Sequence, residues 1–70
     1  MKFMVMEIQV FPDGGVSTPV TSFDDRNKAE AKYHSVLSSA AVSKLATHAA
    51  VMLTEEGALL ESKFYHHEEA

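Results

Sequence analysis

Residues 25–42, DRNKAEAKYHSVLSSAAV, decide the fold because they predict one long amphipathic helix. The apolar side chains recur at three- and four-residue spacing: Ala29, Tyr33, Val36, Leu37 and Ala40. At ~100° per residue these positions share an arc of roughly 100°, which is the width of one buried helix face. Asp24 is the predicted N-cap, Ser22 is an alternative cap, and Asp25 is favourable beside the positive end of the helix dipole. Such a helix must pack its apolar face against another layer.

The sequence before the helix predicts a β-hairpin. Residues 3–11, FMVMEIQVF, alternate as a strand does, with a fully apolar row on one side and a mixed row on the other. The apolar row is Met4, Met6, Ile8 and Val10, and the mixed row is Phe3, Val5, Glu7, Gln9 and Phe11. Pro12-Asp13-Gly14-Gly15 favours a turn, and residues 16–22, VSTPVTS, favour the return strand. Pro19 has no N–H to donate, so this strand is expected at a sheet edge or with a bulge.

A second hairpin is predicted after the helix. Residues 46–54, ATHAAVMLT, and residues 58–66, ALLESKFYH, are the two strands, and Glu55-Glu56-Gly57 forms the turn between them. An alternative interpretation extends the helix through residues 41–53, because alanine also favours helices. A break near Ser43-Lys44 is preferred, since the following stretch gains Val and Thr and ends in a turn. The polar tail, residues 67–70, is expected to fray.

These elements predict a single α+β domain over residues 1–70, with the order β-β-α-β-β. Two β-hairpins surround one amphipathic helix, and the helix packs on one face of an antiparallel sheet. A chain of 70 residues forms one domain at most. Its 46% hydrophobic and 23% charged residues are those of an ordinary folded domain.

Composition also limits the classes of function. The formal net charge of −4 argues against sequence-independent binding of nucleic acid, which needs clustered Lys and Arg. Nothing approaches the ~20 consecutive apolar residues of a membrane span, and no signal-peptide core follows Met1. The chain has no cysteine, which excludes disulfides and thiolate metal sites. We therefore expect a cytoplasmic protein without a membrane or nucleic-acid partner.

The sequence predicts no catalytic residue and no cofactor. None of its serines lies in a nucleophile-elbow context such as G-x-S-x-G. The pair Asp24-Asp25 is better explained by helix capping, and Glu55-Glu56 by a solvated turn. The run His66-His67-Glu68-Glu69 is dense in metal-ligating types, but adjacent strand residues point to opposite faces. His48 and His66 remain a possible pair on one face, yet zinc needs three or four converging ligands, so no metal site is predicted.

A small-ligand site is a further hypothesis. Aromatic, hydroxyl and cationic side chains suit an anionic, nucleotide-like ligand. The candidates that converge near one end of the helix are Tyr33, His34, Ser43, Lys44 and His48. The alternatives are structural: Tyr33 lies within the apolar arc, Glu30 and His34 are spaced to pair on the surface, and Lys44 suits the helix C-terminus.

Self-association is predicted from the surplus of apolar strand residues. One helix covers only one face of a four-stranded sheet, whereas both faces carry apolar groups. The predicted oligomer interface is formed by Phe3, Val5, Met52, Leu60 and Phe64. A symmetric partner is the usual cover for such a face, so we expect a homodimer or a higher homo-oligomer.

The stretch from Asp24 to Leu45 fits the pattern D-D-x-x-x-A-E-x-K-Y/F-H-x-x-L-x-x-A-A-V-S-K-L. In this it resembles small uncharacterised proteins encoded in phages and prophages of Firmicutes. The resemblance covers most of the chain and implies a small viral accessory protein in a bacterial host, without catalytic residues to transfer. The leading hypothesis is a non-catalytic homo-oligomer that counters host defence by capturing a nucleotide-like ligand or a host protein. The alternative is an accessory of virion or tail assembly.

Overall fold

The structure, a computed structural model, describes residues 1–67 and confirms the predicted α+β fold. Its elements in chain order are β1 Phe3–Val10, β2 Val16–Ser17, β3 Val20–Phe23, α1 Arg26–Ala40, β4 Thr47–Thr54 and β5 Leu59–His66. The helix is thus shorter at both ends than residues 25–42, and the alternative in which it continues through residues 41–53 is wrong. Of the predicted tail, His67 donates its backbone N–H to the Ala46 carbonyl at 3.0 Å, and residues 68–70 lie outside the described residues.

The sheet is antiparallel and has the order β2-β1-β4-β5, with β3 also paired to β1. Since β4 pairs with β1 over its whole length, β2 and β3 share the other side of β1. The predicted return strand is therefore split in two. The split falls at Pro19, which has no N–H, and the Pro19 carbonyl still accepts from Glu7 N at 2.9 Å.

The helix begins one residue later than the sequence suggests. Asp25, not Asp24, is the N-cap, and its Oδ1 accepts from the Asn27 N–H at 2.8 Å. Asp24 instead pairs with Lys2 Nζ at 2.6 Å, on the exposed surface. The expectation of Asp24 as the cap was wrong because a contact with the start of the chain takes its carboxylate away from the helix.

The core lies between the helix and one face of the sheet. Its buried members are Val5, Ala29, Tyr33, Val36, Ala50 and Met52. Val5 and Met52 are directly paired across β1 and β4 and are 2% and 0% exposed. Ala29 and Ala50 have no exposed surface, which lets helix and sheet approach closely. No helix within residues 1–67 is long and apolar enough to cross a membrane.

The predicted oligomer interface needs correction. Val5 and Met52 form the core beneath the helix, with Phe3 and Leu60 packed against them, so these four side chains are not on an uncovered face. Leu60 lies there because the β4–β5 register shifts: Leu53 faces Leu59, whereas Met52 faces Glu61. Leu60 is the extra residue of this bulge. Of the predicted interface residues, only Phe64 lies on the opposite face, and it is 61% exposed.

Candidate functional site

The sheet face opposite the helix carries a continuous set of apolar side chains, which we call the open face. Its membership follows from the strand registers, since directly paired residues share a face. The apolar members are Met4, Met6, Ile8, Val10, Val16, Val20, Ala49, Val51, Leu53, Leu59 and Phe64. The alternation over residues 3–11 predicts the fully apolar Met4–Val10 row but not that the helix leaves it uncovered.

The exposure of side chains on the open face increases from its centre to its margins. Side chains on the two central strands, such as Met6 and Val51, are half-buried because they pack against one another. Side chains on the outer strands, such as Val16, Leu59 and Phe64, are exposed. The strand registers place no Asp, Glu, Lys or Arg on this face within residues 1–67. A sheet face that exposes mainly apolar side chains to water, with no Asp, Glu, Lys or Arg among them, is typical of a protein interface.

A polar cluster lies on the other face, beneath the helix. His48 Nε2 is hydrogen-bonded to Glu7 Oε2, and Gln9 Nε2 donates to the same oxygen at 2.8 Å. Gln9 and His48 face each other across β1 and β4. Burial opposes ionisation of the Glu7 carboxyl, but the hydrogen bonds from His48 and Gln9 outweigh it and lower the pKa of Glu7. The contact between His48 and Glu7 crosses from β4 to β1, and no local sequence pattern reveals it.

The histidine of this cluster is buried, whereas Glu7 and Gln9 are half-buried. His48 is 4% exposed, and its second ring nitrogen, Nδ1, is buried without a hydrogen-bond partner among the described residues. A general acid or base must reach a substrate atom directly or through one water. No pocket opens among residues 1–67 through which a substrate would reach the imidazole. The Glu7–His48 pair joins β1 to β4.

The five predicted ligand-binding residues do not share one exposed surface. Tyr33 is part of the core, and burial together with the nearby Glu61 raises the pKa of its phenol. Its ring contacts that of His34 edge-on, at 5.5 Å between centroids. His34 and Lys44 are exposed, and Ser43 is half-buried with its Oγ lacking a partner in the described part of the chain. His48 is buried against Glu7.

The remaining histidines bind neighbouring protein groups. His66 Nδ1 lies 2.9 Å from Thr47 Oγ1, and His67 Nε2 donates to the Ala40 carbonyl at 2.7 Å. The second contact satisfies one of the free carbonyls at the end of the helix. Glu68 and Glu69 of the predicted metal-ligand run lie outside the described residues. Within residues 1–67, no three His, Asp or Glu side chains are grouped as metal ligands.

Comparisons with known proteins add no further information on identity. The resemblance to phage proteins, which depends on residues 24–45, therefore stays a prediction. No protein-family model matches the chain, nor does any curated protein or solved structure.

Proposed function

We propose that this protein is a non-catalytic binding protein that acts as a homo-oligomer, with the open face buried between copies. The observation that carries this proposal is the unbroken set of apolar side chains, free of charged residues, on the sheet face that the helix does not cover. A second copy presents the same face, so a two-fold axis makes the surface self-complementary.

The size of the open face supports this assignment. Four strand positions at ~4.8 Å and eight residues at ~3.3 Å give a flat area of roughly 500 Å² per copy. A face-to-face dimer would thus bury on the order of 1,000 Å², which is the lower limit for a specific interface. Each Val, Leu or Phe that becomes fully buried contributes about 1.5–3 kcal/mol. Two sheets packed in this way lie ~10 Å apart.

The finer role rests on the resemblance over residues 24–45. We propose a phage-type accessory protein of the bacterial cytoplasm, which counters host defence by capturing a nucleotide-like ligand or a host protein. Because residues 1–67 contain no pocket of their own, a small ligand would have to bind between copies. The burial of the His48 imidazole supports a non-catalytic role. An accessory of virion or tail assembly is the alternative, in which the open face covers a different protein.

Size-exclusion chromatography with light scattering tests the self-association. Val51 lies on the open face, so Val51→Lys would place a charge within the proposed interface. We expect an oligomer for the wild type and a monomer with an unchanged circular dichroism spectrum for Val51→Lys. The matched control is Val42→Lys, because Val42 is 82% exposed just after the helix and outside the sheet. A monomeric wild type at micromolar concentration would contradict the proposal.

Thermal shift measurements separate the two finer roles. Nucleotides and cyclic dinucleotides are added to the wild type and to Val51→Lys at equal protein concentration. Ligand capture between copies predicts stabilisation of the wild type that the variant lacks. If no nucleotide stabilises the wild type, the assembly role or the capture of a host protein is favoured instead.

A further inference from the structure

The two edges of the sheet differ in how they are protected. One edge is formed by the short strands β2 and β3, which are separated at Pro19. Such a broken, proline-containing edge resists pairing with another strand. The other edge is β5, with eight residues and no proline, and among residues 1–67 only β4 pairs with it. We call its outer side the free edge.

The hydrogen-bond pattern shows which backbone groups lie on the free edge. His67 donates its N–H to the Ala46 carbonyl, so the backbone N–H and C=O groups of His67 point towards β4. Backbone groups of an antiparallel strand alternate between its two neighbours. The N–H and C=O groups of Ser62, Phe64 and His66 therefore point outward. The strand pairs regularly with β4 from Glu61 to His66, beyond the bulge at Leu60.

We propose that β5 pairs with β5 of a second copy, antiparallel, about a two-fold axis at Phe64. In this register Phe64 faces Phe64 of the partner subunit, and Ser62 faces His66 of the partner subunit. Each such pair exchanges both N–H···O bonds, using the outward groups on both strands. The two sheets become one continuous sheet across the dimer. This ladder uses backbone groups of β5 and leaves the side chains of the open face uncovered, so either interface can form without the other.

Side-chain complementarity favours this register. It places Lys63 opposite Tyr65 of the partner subunit and Glu61 opposite His67 of the partner subunit, so no like charges meet. Lys63 Nζ already lies 5.5 Å from the centre of its own Tyr65 ring, which shows that the ammonium reaches an aromatic neighbour along this strand. Glu61 Oε2 has no hydrogen-bond partner among the described residues.

Two neighbouring registers are less favourable than the register about Phe64. An axis at Lys63 would place two ammonium groups directly opposite each other, in a non-hydrogen-bonded pair where the side chains lie closest. An axis at Ser62 would bring the bulge at Leu60 into the new ladder, opposite Phe64. The axis at Phe64 uses only the regular part of the strand.

Cysteine cross-linking tests the register directly, because the chain contains no cysteine. In the proposed dimer the two Phe64 Cα atoms lie ~5.5 Å apart, within the ~4.4–6.8 Å that a disulfide spans. Phe64→Cys should form a disulfide-linked dimer on oxidation. Ser62→Cys is the matched control, because it lies on the same face of the sheet. In the proposed dimer the two copies of residue 62 are separated by four residues along the strand, at ~3.4 Å each, which is too far for a disulfide.

We expect the cross-linked fraction of Phe64→Cys to exceed that of Ser62→Cys by about tenfold or more. Equal cross-linking of both variants would overturn the register. If the wild type is oligomeric but Phe64→Cys does not cross-link, edge pairing is overturned. The open face then remains as the interface, because sheets packed face to face lie ~10 Å apart, too far for a disulfide at position 64. Cross-linking of Phe64→Cys that persists with Val51→Lys would show that the edge pairs independently of the open face.

A proline on the free edge provides a second measurement. Ser62→Pro removes an outward N–H and leaves the ladder to β4 intact, because proline is tolerated where the N–H faces solvent. We expect it to abolish the cross-link of Phe64→Cys while the circular dichroism spectrum stays unchanged. Undiminished cross-linking of the double variant would contradict the proposed ladder.

Discussion

The hydrogen bond between Glu7 and His48 predicts a large loss of stability for Glu7→Ala. His48 is 4% exposed, and Nε2 finds its partner in Glu7 while Nδ1 has none in the described structure. The substitution would leave both ring nitrogens buried and unsatisfied, and Gln9 would lose its acceptor as well. A hydrogen bond to a charged group contributes about 1.5–3 kcal/mol. A domain of this size has only about 4–10 kcal/mol of stability in total.

Thermal and urea denaturation followed by circular dichroism measure this effect. For a domain of 60–100 residues, a loss of about 2 kcal/mol lowers Tm by about 8–16 °C. Protein concentration must be equal for all variants, because association also raises Tm. The control is Glu30→Ala, which removes an exposed pair with Arg26 at 3.6 Å and should cost less than about 0.5 kcal/mol. A Tm for Glu7→Ala within about 2 °C of the wild type would refute the reasoning.

Three further measurements follow from the same structure. The folded-state pKa of Glu7 lies below its ordinary value of 4.5, so its stabilising contribution is present above pH 4.5 and is lost as the pH falls through the folded-state pKa. Glu7→Gln should therefore flatten the acid limb of a stability–pH profile, and an unchanged limb would contradict this. Met52→Ala removes a side chain with no exposed surface and should cost about 2–5 kcal/mol in urea denaturation, whereas Val42→Ala, at 82% exposed and outside the sheet, should cost far less. Asp25→Ala removes the N-cap and should cost about 1 kcal/mol, with a smaller effect for Asp24→Ala; the reverse order in thermal melts would show that the cap is misassigned.

Much of the fold could be predicted from the sequence because its signals are local. The spacing of Ala29, Tyr33 and Val36 fixes the buried face of the helix, and all three are buried in the structure. The turns at residues 12–15 and 55–57 fix the two hairpins, and Gly14 and Gly57 both adopt positive φ there. Pro19 predicted a return strand at a sheet edge or with a bulge; β2 and β3 lie at the edge, and the strand is split in two at this residue.

The face of the sheet that the helix covers could not be predicted in the same way. Alternation identifies two rows on β1 but not which row is buried, and the mixed row with Glu7 lies beneath the helix. There His48, 41 residues away in sequence, supplies a partner for the Glu7 carboxylate. The bulge at Leu60 could not be predicted from the sequence either. It separates Leu60 from Phe64, which strict alternation places on one face.

The two ends of the described chain have a mechanical consequence. The chain enters β1 beside the turn after β4, where Glu55 N donates to the Lys2 carbonyl at 3.0 Å. It leaves β5 at the opposite end of the sheet, where His67 contacts the last turn of the helix. A force that pulls these ends apart acts along the strands, so it loads the backbone hydrogen bonds of β1, β4 and β5 together in shear. The domain should therefore resist stretching between its ends better than peeling of either hairpin.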